Sequence, residues 1–247
     1  MGLRFLGKYR ILARLWGAAE GKEPRVMAAR KTIVFIAAVM LTVSGPVRAD
    51  RHLPTLPIAE IAADGMYAQK WLYKSSLNLR ADLAATERDG KRLVIFWEQK
   101  ECPYCKPVYE LNLRIPRMVE KIKNNFNVIK LDILGERKVT DLDGTVLAEK
   151  ELALKYQIRY TQTLQFLPES LAKAAGKSGE DLEVFRSEGY FKPFHYYFLF
   201  HYVQSKGYES QPNFQRWLGE IGKGMQDKNI KYDLWADGLP PKLPDQY

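Results

Sequence analysis

The run Arg92-Leu93-Val94-Ile95-Phe96-Trp97 places branched and aromatic residues side by side, with Gly90 before it and a polar stretch after it. A short apolar run of this kind predicts a strand buried on both faces. Upstream, Leu77, Ala81, Ala84 and Ala85 recur at spacings of three and four, which predicts a helix over 77–88. Ser75 or Ser76 is placed to cap its start, and Gly90 lies just past its end. Phe126 to Ile133 alternates apolar and polar positions and predicts the next strand.

Between these strands, a helical stretch runs from Cys105 to about Asn112. Pro116 then breaks it and opens a second helix over 117–124. Gly135 to Val146 is polar and carries Asp143-Gly144, a hairpin-turn signal, so a β-hairpin insertion is expected there. A helix over 149–156, a strand over 163–167, a surface loop over 170–180 and an edge strand over 182–187 follow. Two helices, 194–205 and 212–222, close the pattern, with an extended Pro-rich tail from Gly238. In the first of them Phe194, Phe198 and Tyr202 share one face, which predicts packing against a sheet. The order β-α-β-α-β-β-α describes one α/β domain. Residues 50–76, with Pro54 and Pro57, read as an irregular N-terminal segment.

Charge changes the picture only at the N-terminus. The chain of 247 residues carries a formal net charge of +9, from 38 basic and 29 acidic side chains. Nine basic residues and two acids fall in residues 1–49, so the remainder is close to neutral and offers no electrostatic footprint for nucleic acid. Arg30 and Lys31, the apolar run Thr32–Val43, the helix-breaking Ser44-Gly45-Pro46 and the site Val47-Arg48-Ala49 have the layout of a secretory signal. Twelve residues are too few to span a bilayer core, which needs roughly 20. The expected form is exported to the periplasm and cleaved after Ala49, with an uncleaved N-terminal anchor as the alternative; residues 1–49 are then presequence, 77–225 the domain and 226–247 a tail. Met27 would start a compact signal by itself.

Two cysteines, Cys102 and Cys105, are the whole complement, in the motif Cys102-Pro103-Tyr104-Cys105. A Cys-x-x-Cys between a strand and a helix is where a reactive thiol is expected. The helix N-terminus favours a thiolate on the first cysteine, and the second sits one turn in, more buried and able to resolve a mixed disulfide. A disulfide closing so short a loop does little for stability. A zinc site needs four ligands, and neither a second cysteine pair nor a Cys-His cluster exists; His195 and His201, six apart, do not share a helical face. No metal and no cofactor is expected.

The stretches LVIFWEQKECPYC, FNVIKLDILGERKVTDLDG, EKELALKYQIRYTQT and GYFKPF resemble the SoxW-like group of periplasmic thioredoxins, from about Leu77 to Leu218. The resemblance implies a thioredoxin-like fold: a central mixed sheet flanked by helices, here with a hairpin insertion and a C-terminal helical extension. It also implies reversible dithiol–disulfide exchange at Cys102 and Cys105, substrate contacts at Tyr104, Thr161 and Gln162, and a link to bacterial sulfur-compound oxidation. The implied partners are disulfide-containing protein substrates and a membrane electron donor, and the expected state is a monomer. A glutaredoxin-like glutathione-dependent reductase and a non-catalytic binding module of the same fold are the alternatives.

The sequence departs from thioredoxins at two positions. Gln162 stands where such folds place a cis-proline, and either isomer of the preceding bond is open. Ile95 stands where they carry a buried carboxylate, with Glu98 and Glu101 as nearby acids that either substitute for it or are solvated turn charges.

Overall fold

A computed structural model describes residues 55–234. The segments expected to be a presequence with its signal-peptide site and a Pro-rich tail lie outside the described residues.

The predicted buried strand is the centre of the molecule. β3 (Arg92–Glu98) pairs in parallel with β4 (Phe126–Asp132), from Arg92 opposite Phe126 to Glu98 opposite Asp132. On its other side β3 runs antiparallel to β7 (Thr163–Phe166), which pairs antiparallel with the edge strand β8 (Phe185–Glu188). The sheet is therefore mixed, in the order β4-β3-β7-β8. Side chains alternate along a strand, so Leu93, Ile95 and Trp97 enter one core and Val94 and Phe96 the other. Each fully buried side chain of this size contributes about 1.5–3 kcal/mol.

One core lies under α1 (Leu79–Arg88), α4 (Glu149–Lys155) and the hairpin β5 (Lys138–Thr140)–β6 (Val146–Ala148). The hairpin insertion is present, around Asp143-Gly144, with Gly144 at φ +87°. Asn78, rather than Ser75 or Ser76, caps α1: its side chain accepts from the Ala81 N–H at 3.0 Å. The two serine hydroxyls donate instead to Asp82, a buried carboxylate in the first turn.

The other core lies under α2 (Cys105–Glu110), α3 (Pro116–Asn125), α6 (Pro193–Gln204) and α8 (Phe214–Asp227). Pro116 opens α3, where its missing N–H costs nothing. α6 is buried on nearly every side, which one apolar stripe would not require. Phe200 meets Phe96, Phe126 and Phe166 of the sheet at centroid distances of 6.4, 5.1 and 5.4 Å. Tyr202 and Phe198 face Trp217 of α8 at 5.0 and 6.2 Å. The helix is thus a middle layer between the sheet and α8.

Two expectations are corrected. The stretch 170–180 is not all loop: Ser170 accepts from the Lys173 N–H and starts the single turn α5 (Leu171–Ala174), and a 3-10 turn begins at Gly179. The segment before α1 is not wholly irregular either. It forms a two-stranded hairpin, β1 (Glu60–Ile61) with β2 (Tyr67–Ala68), and its Tyr73 N–H donates to Val128 O on β4 at 2.9 Å. A further turn, α7 (Gly207–Ser210), separates α6 from α8.

Candidate active site

The chain leaves β3 at Glu98, turns through Gln99–Glu101 and reaches the cysteine motif at the carboxyl edge of the sheet. Glu101 takes φ +53° in this turn and is exposed, so it is a solvated turn charge. Cys102 and Cys105 form a disulfide with Cα atoms 5.2 Å apart. The helix proper starts at Cys105, and the Lys106 N–H reaches back to Cys102 O at 3.2 Å, so Cys102 sits one turn before it. The Cys105 N–H points at Cys102 Sγ, 3.0 Å away. That donor is positioned to stabilise charge on Cys102 sulfur.

The expected contrast of an exposed first cysteine and a buried second one is weak in the disulfide form. Cys102 is 4% exposed and Cys105 1%. The neighbouring Tyr104, by contrast, is 57% exposed, and Tyr160 in the facing loop 60%. Lys106 pairs with Glu110 at 3.9 Å on the surface of α2.

Glu98 is the unexpected member of the site. It follows Phe96 by two residues, so it points to the same face as Phe96 and α2, where it is 1% exposed. Tyr109, one turn beyond Cys105 on α2, donates its hydroxyl to Glu98 Oε1 at 2.7 Å. Gln162 Nε2 donates to the same oxygen at 3.0 Å. Burial pushes the Glu98 carboxyl up to about 7, against the opposing pull of Tyr109, Lys130 and Gln162. Of the two acids near the motif, Glu98 is therefore the buried one and Glu101 the exposed one. Ile95, at the position where thioredoxins carry a buried carboxylate, packs in the opposite core.

The residues expected to touch substrate divide. Tyr104 stands exposed beside the disulfide. Thr161 and Gln162 are buried, and the Thr161–Gln162 peptide is cis. Gln162 turns its side chain inward to Glu98, and its carbonyl accepts from the Gly189 N–H at 2.7 Å. Its side chain is thus part of the buried network that holds Glu98. Tyr109 is not among the site residues read from the sequence. Its i, i+4 relation to Cys105 is the signal that marks it.

Residues 79–177 match the family model of a thioredoxin-like domain. The fold is thioredoxin-like. No curated protein matches the chain. Among solved structures the chain is similar to a thioredoxin-fold protein from Helicobacter pylori, at 12% identity and TM-score 0.45, covering 65% of this chain and 93% of that one. It is similar also to a thioredoxin from Thermus thermophilus, at 22% identity and TM-score 0.37, covering 52% and 84%. A DsbH oxidoreductase aligns at 12% identity and TM-score 0.32, covering 54% and 82%. A thioredoxin-like domain with a disulfide-forming cysteine pair at the strand-to-helix junction supports thiol–disulfide oxidoreductase chemistry in general terms.

Proposed function

We propose that this protein is an exported dithiol reductant of protein or sulfur-carrier disulfides, related to the SoxW-like periplasmic thioredoxins. The observation that carries the reading is the Cys102–Cys105 disulfide at the start of α2, whose Tyr109, one turn past Cys105, hydrogen-bonds the buried Glu98, a carboxyl that burial pushes up to about 7.

In the reduced protein, the Cys102 thiolate attacks a substrate disulfide. A Cys102–substrate bond forms, the substrate S–S bond breaks, and one substrate sulfur leaves as thiolate. Cys105 then gives its proton to Glu98 and attacks Cys102 sulfur. This closes the Cys102–Cys105 disulfide and releases the second substrate sulfur, which takes up a proton. The substrate gains two electrons and the protein loses two. A base works best when its proton affinity matches the ambient pH, which favours Glu98 for this step. A membrane dithiol donor returns the two electrons. Exposed Pro103 and Tyr104 are the side chains of the motif available to touch a bound polypeptide.

The test is turnover of insulin disulfides with a dithiol reductant, beside turnover of glutathione disulfide. Insulin reduction lost on replacing either cysteine is expected. Turnover of glutathione disulfide alone would favour the glutaredoxin-like alternative, and no turnover of either would favour the binding module.

A further inference from the structure

The hairpin β1–β2 lies before the matched region 79–177, yet it reaches the redox site. Tyr67 stacks on Tyr109, with centroids 4.6 Å apart and rings 12° from parallel. Tyr109 in turn holds Glu98. Lys130 of β4, whose charge acts on Glu98, donates its ammonium to Tyr67 O and so ties the hairpin to the sheet. The hairpin turn is closed by Gly65 N–H to Ala62 O at 2.9 Å and by Met66 N–H to Asp64 Oδ1 at 2.9 Å. Gly65 takes φ +78° and lies against the Lys100 stem, two residues before Cys102: a Cβ there would meet Lys100 Cγ at 3.2 Å.

We propose that this N-terminal hairpin is a working part of the redox site, with Tyr67 a positioning residue that acts through Tyr109 to keep water from Glu98. The inference rests on the reading of Glu98 as the group that takes the Cys105 proton. Its physical basis is that a carboxyl keeps its proton to higher pH when water cannot reach the charged form. Tyr109 of α2 and Gln162 before β7 hydrogen-bond Glu98, and Lys130 of β4, Tyr196 of α6, and Asp64 and Tyr67 of the hairpin lie within electrostatic reach of it. Tyr109, Lys130 and Gln162 favour the ionised form, while burial and Asp64 oppose it. A hairpin that seals the carboxyl and carries Asp64 therefore acts on the side of the proton. Since Glu98 closes β3 and the turn to the cysteine motif follows it, a segment outside the matched region would set the pH range in which Cys105 resolves.

The experiment is a carbon-13 titration of the Glu98 carboxyl in the full oxidised chain, assigned with Glu98→Gln. Wild type should titrate near 7. Tyr67→Ala should shift the midpoint down by about one pH unit as water reaches the carboxyl, whereas Tyr67→Phe, which keeps the stacked ring, should leave it in place. Gly65→Val gives an independent displacement of the turn and should move the midpoint in the same direction. An unmoved midpoint in Tyr67→Ala and Gly65→Val, with the fold intact by circular dichroism, overturns the inference. An equal shift in Tyr67→Phe overturns it as well. Disulfide turnover does not enter this readout, so failure of the proposed function and failure of this inference are separable.

Discussion

Gln162 Nε2 donates to Glu98 Oε1 at 3.0 Å, across one step beyond the last paired residues of β3 and β7, Trp97 and Thr163. Antiparallel register carried one step further sets residue 162 opposite residue 98, so the pair follows from the sheet itself. Tyr109 completes the arrangement from α2. One buried carboxyl is thus linked to the motif helix and to the loop before β7.

The first prediction concerns stability against pH in the oxidised protein. Glu98 binds its proton up to about 7 in the fold, against 4.5 for the ordinary group. Between these values the folded chain holds a proton that the unfolded chain has released. The stability Glu98 contributes is therefore full below about 4.5, falls as pH rises to about 7, and stays lost above it, a loss on the order of 3 kcal/mol. Glu98→Gln should remove this slope. Denaturation midpoints at about pH 5 and pH 8 for both proteins check it. An identical slope in the variant would count against the buried carboxyl.

Removing the Tyr109 hydroxyl should act in the opposite sense to opening the hairpin. The Tyr109 hydrogen bond favours the ionised carboxylate, so Tyr109→Phe should raise the Glu98 midpoint and carry the pH profile of mixed-disulfide resolution upward with it. Stopped-flow kinetics across pH would read the shift. A downward movement would contradict the assigned hydrogen bond.

The two cysteines should separate by trapping. With Cys102 as nucleophile, Cys105→Ser should accumulate a covalent mixed disulfide with a substrate peptide, and Cys102→Ser should accumulate little. Mass spectrometry of unreduced mixtures distinguishes them, and the reverse outcome would exchange the two roles.

Gly135→Ala should destabilise the chain by about 2 kcal/mol, judged from typical overpacking and lost buried hydrogen bonds. A Cβ at Gly135 would overlap Glu149 Oε2 and lie 2.8 Å from the carboxyl carbon. Glu149 is buried and accepts from the Asp132 N–H and Arg137 Nε, both at 3.0 Å, so it has little freedom to yield. Thermal denaturation is sufficient to measure the loss.

Export predicts a mature N-terminus at Asp50. Edman sequencing of protein recovered from the periplasm of an expressing bacterium should begin there. Full-length protein confined to the cytoplasm would remove both the export reading and the oxidising compartment it implies.

Strands and helices with strong local patterns were legible from the residues alone. RLVIFW specified the central strand because a run apolar on both parities can be satisfied only between two cores. Pro116 marked the start of α3 because proline suits that position. Cys102-Pro103-Tyr104-Cys105 at the strand's end marked the chemistry, since no other sulfur nucleophile pair exists in the chain. Tertiary structure decided what depends on which face meets which partner. Glu98 reads locally as a charge at the end of a strand, and Glu101 does too. Strand parity turns Glu98 toward α2, where Tyr109 and Gln162 meet it, while the turn leaves Glu101 in water. The hairpin at 60–68 has only two-residue strands and no pattern of its own, and its packing is set by distant partners, Tyr109 stacked on Tyr67 and Lys130 bonded to Tyr67 O. Local periodicity is a property of neighbouring residues, but burial of a polar group is set by partners many residues away, and only the assembled fold supplies them.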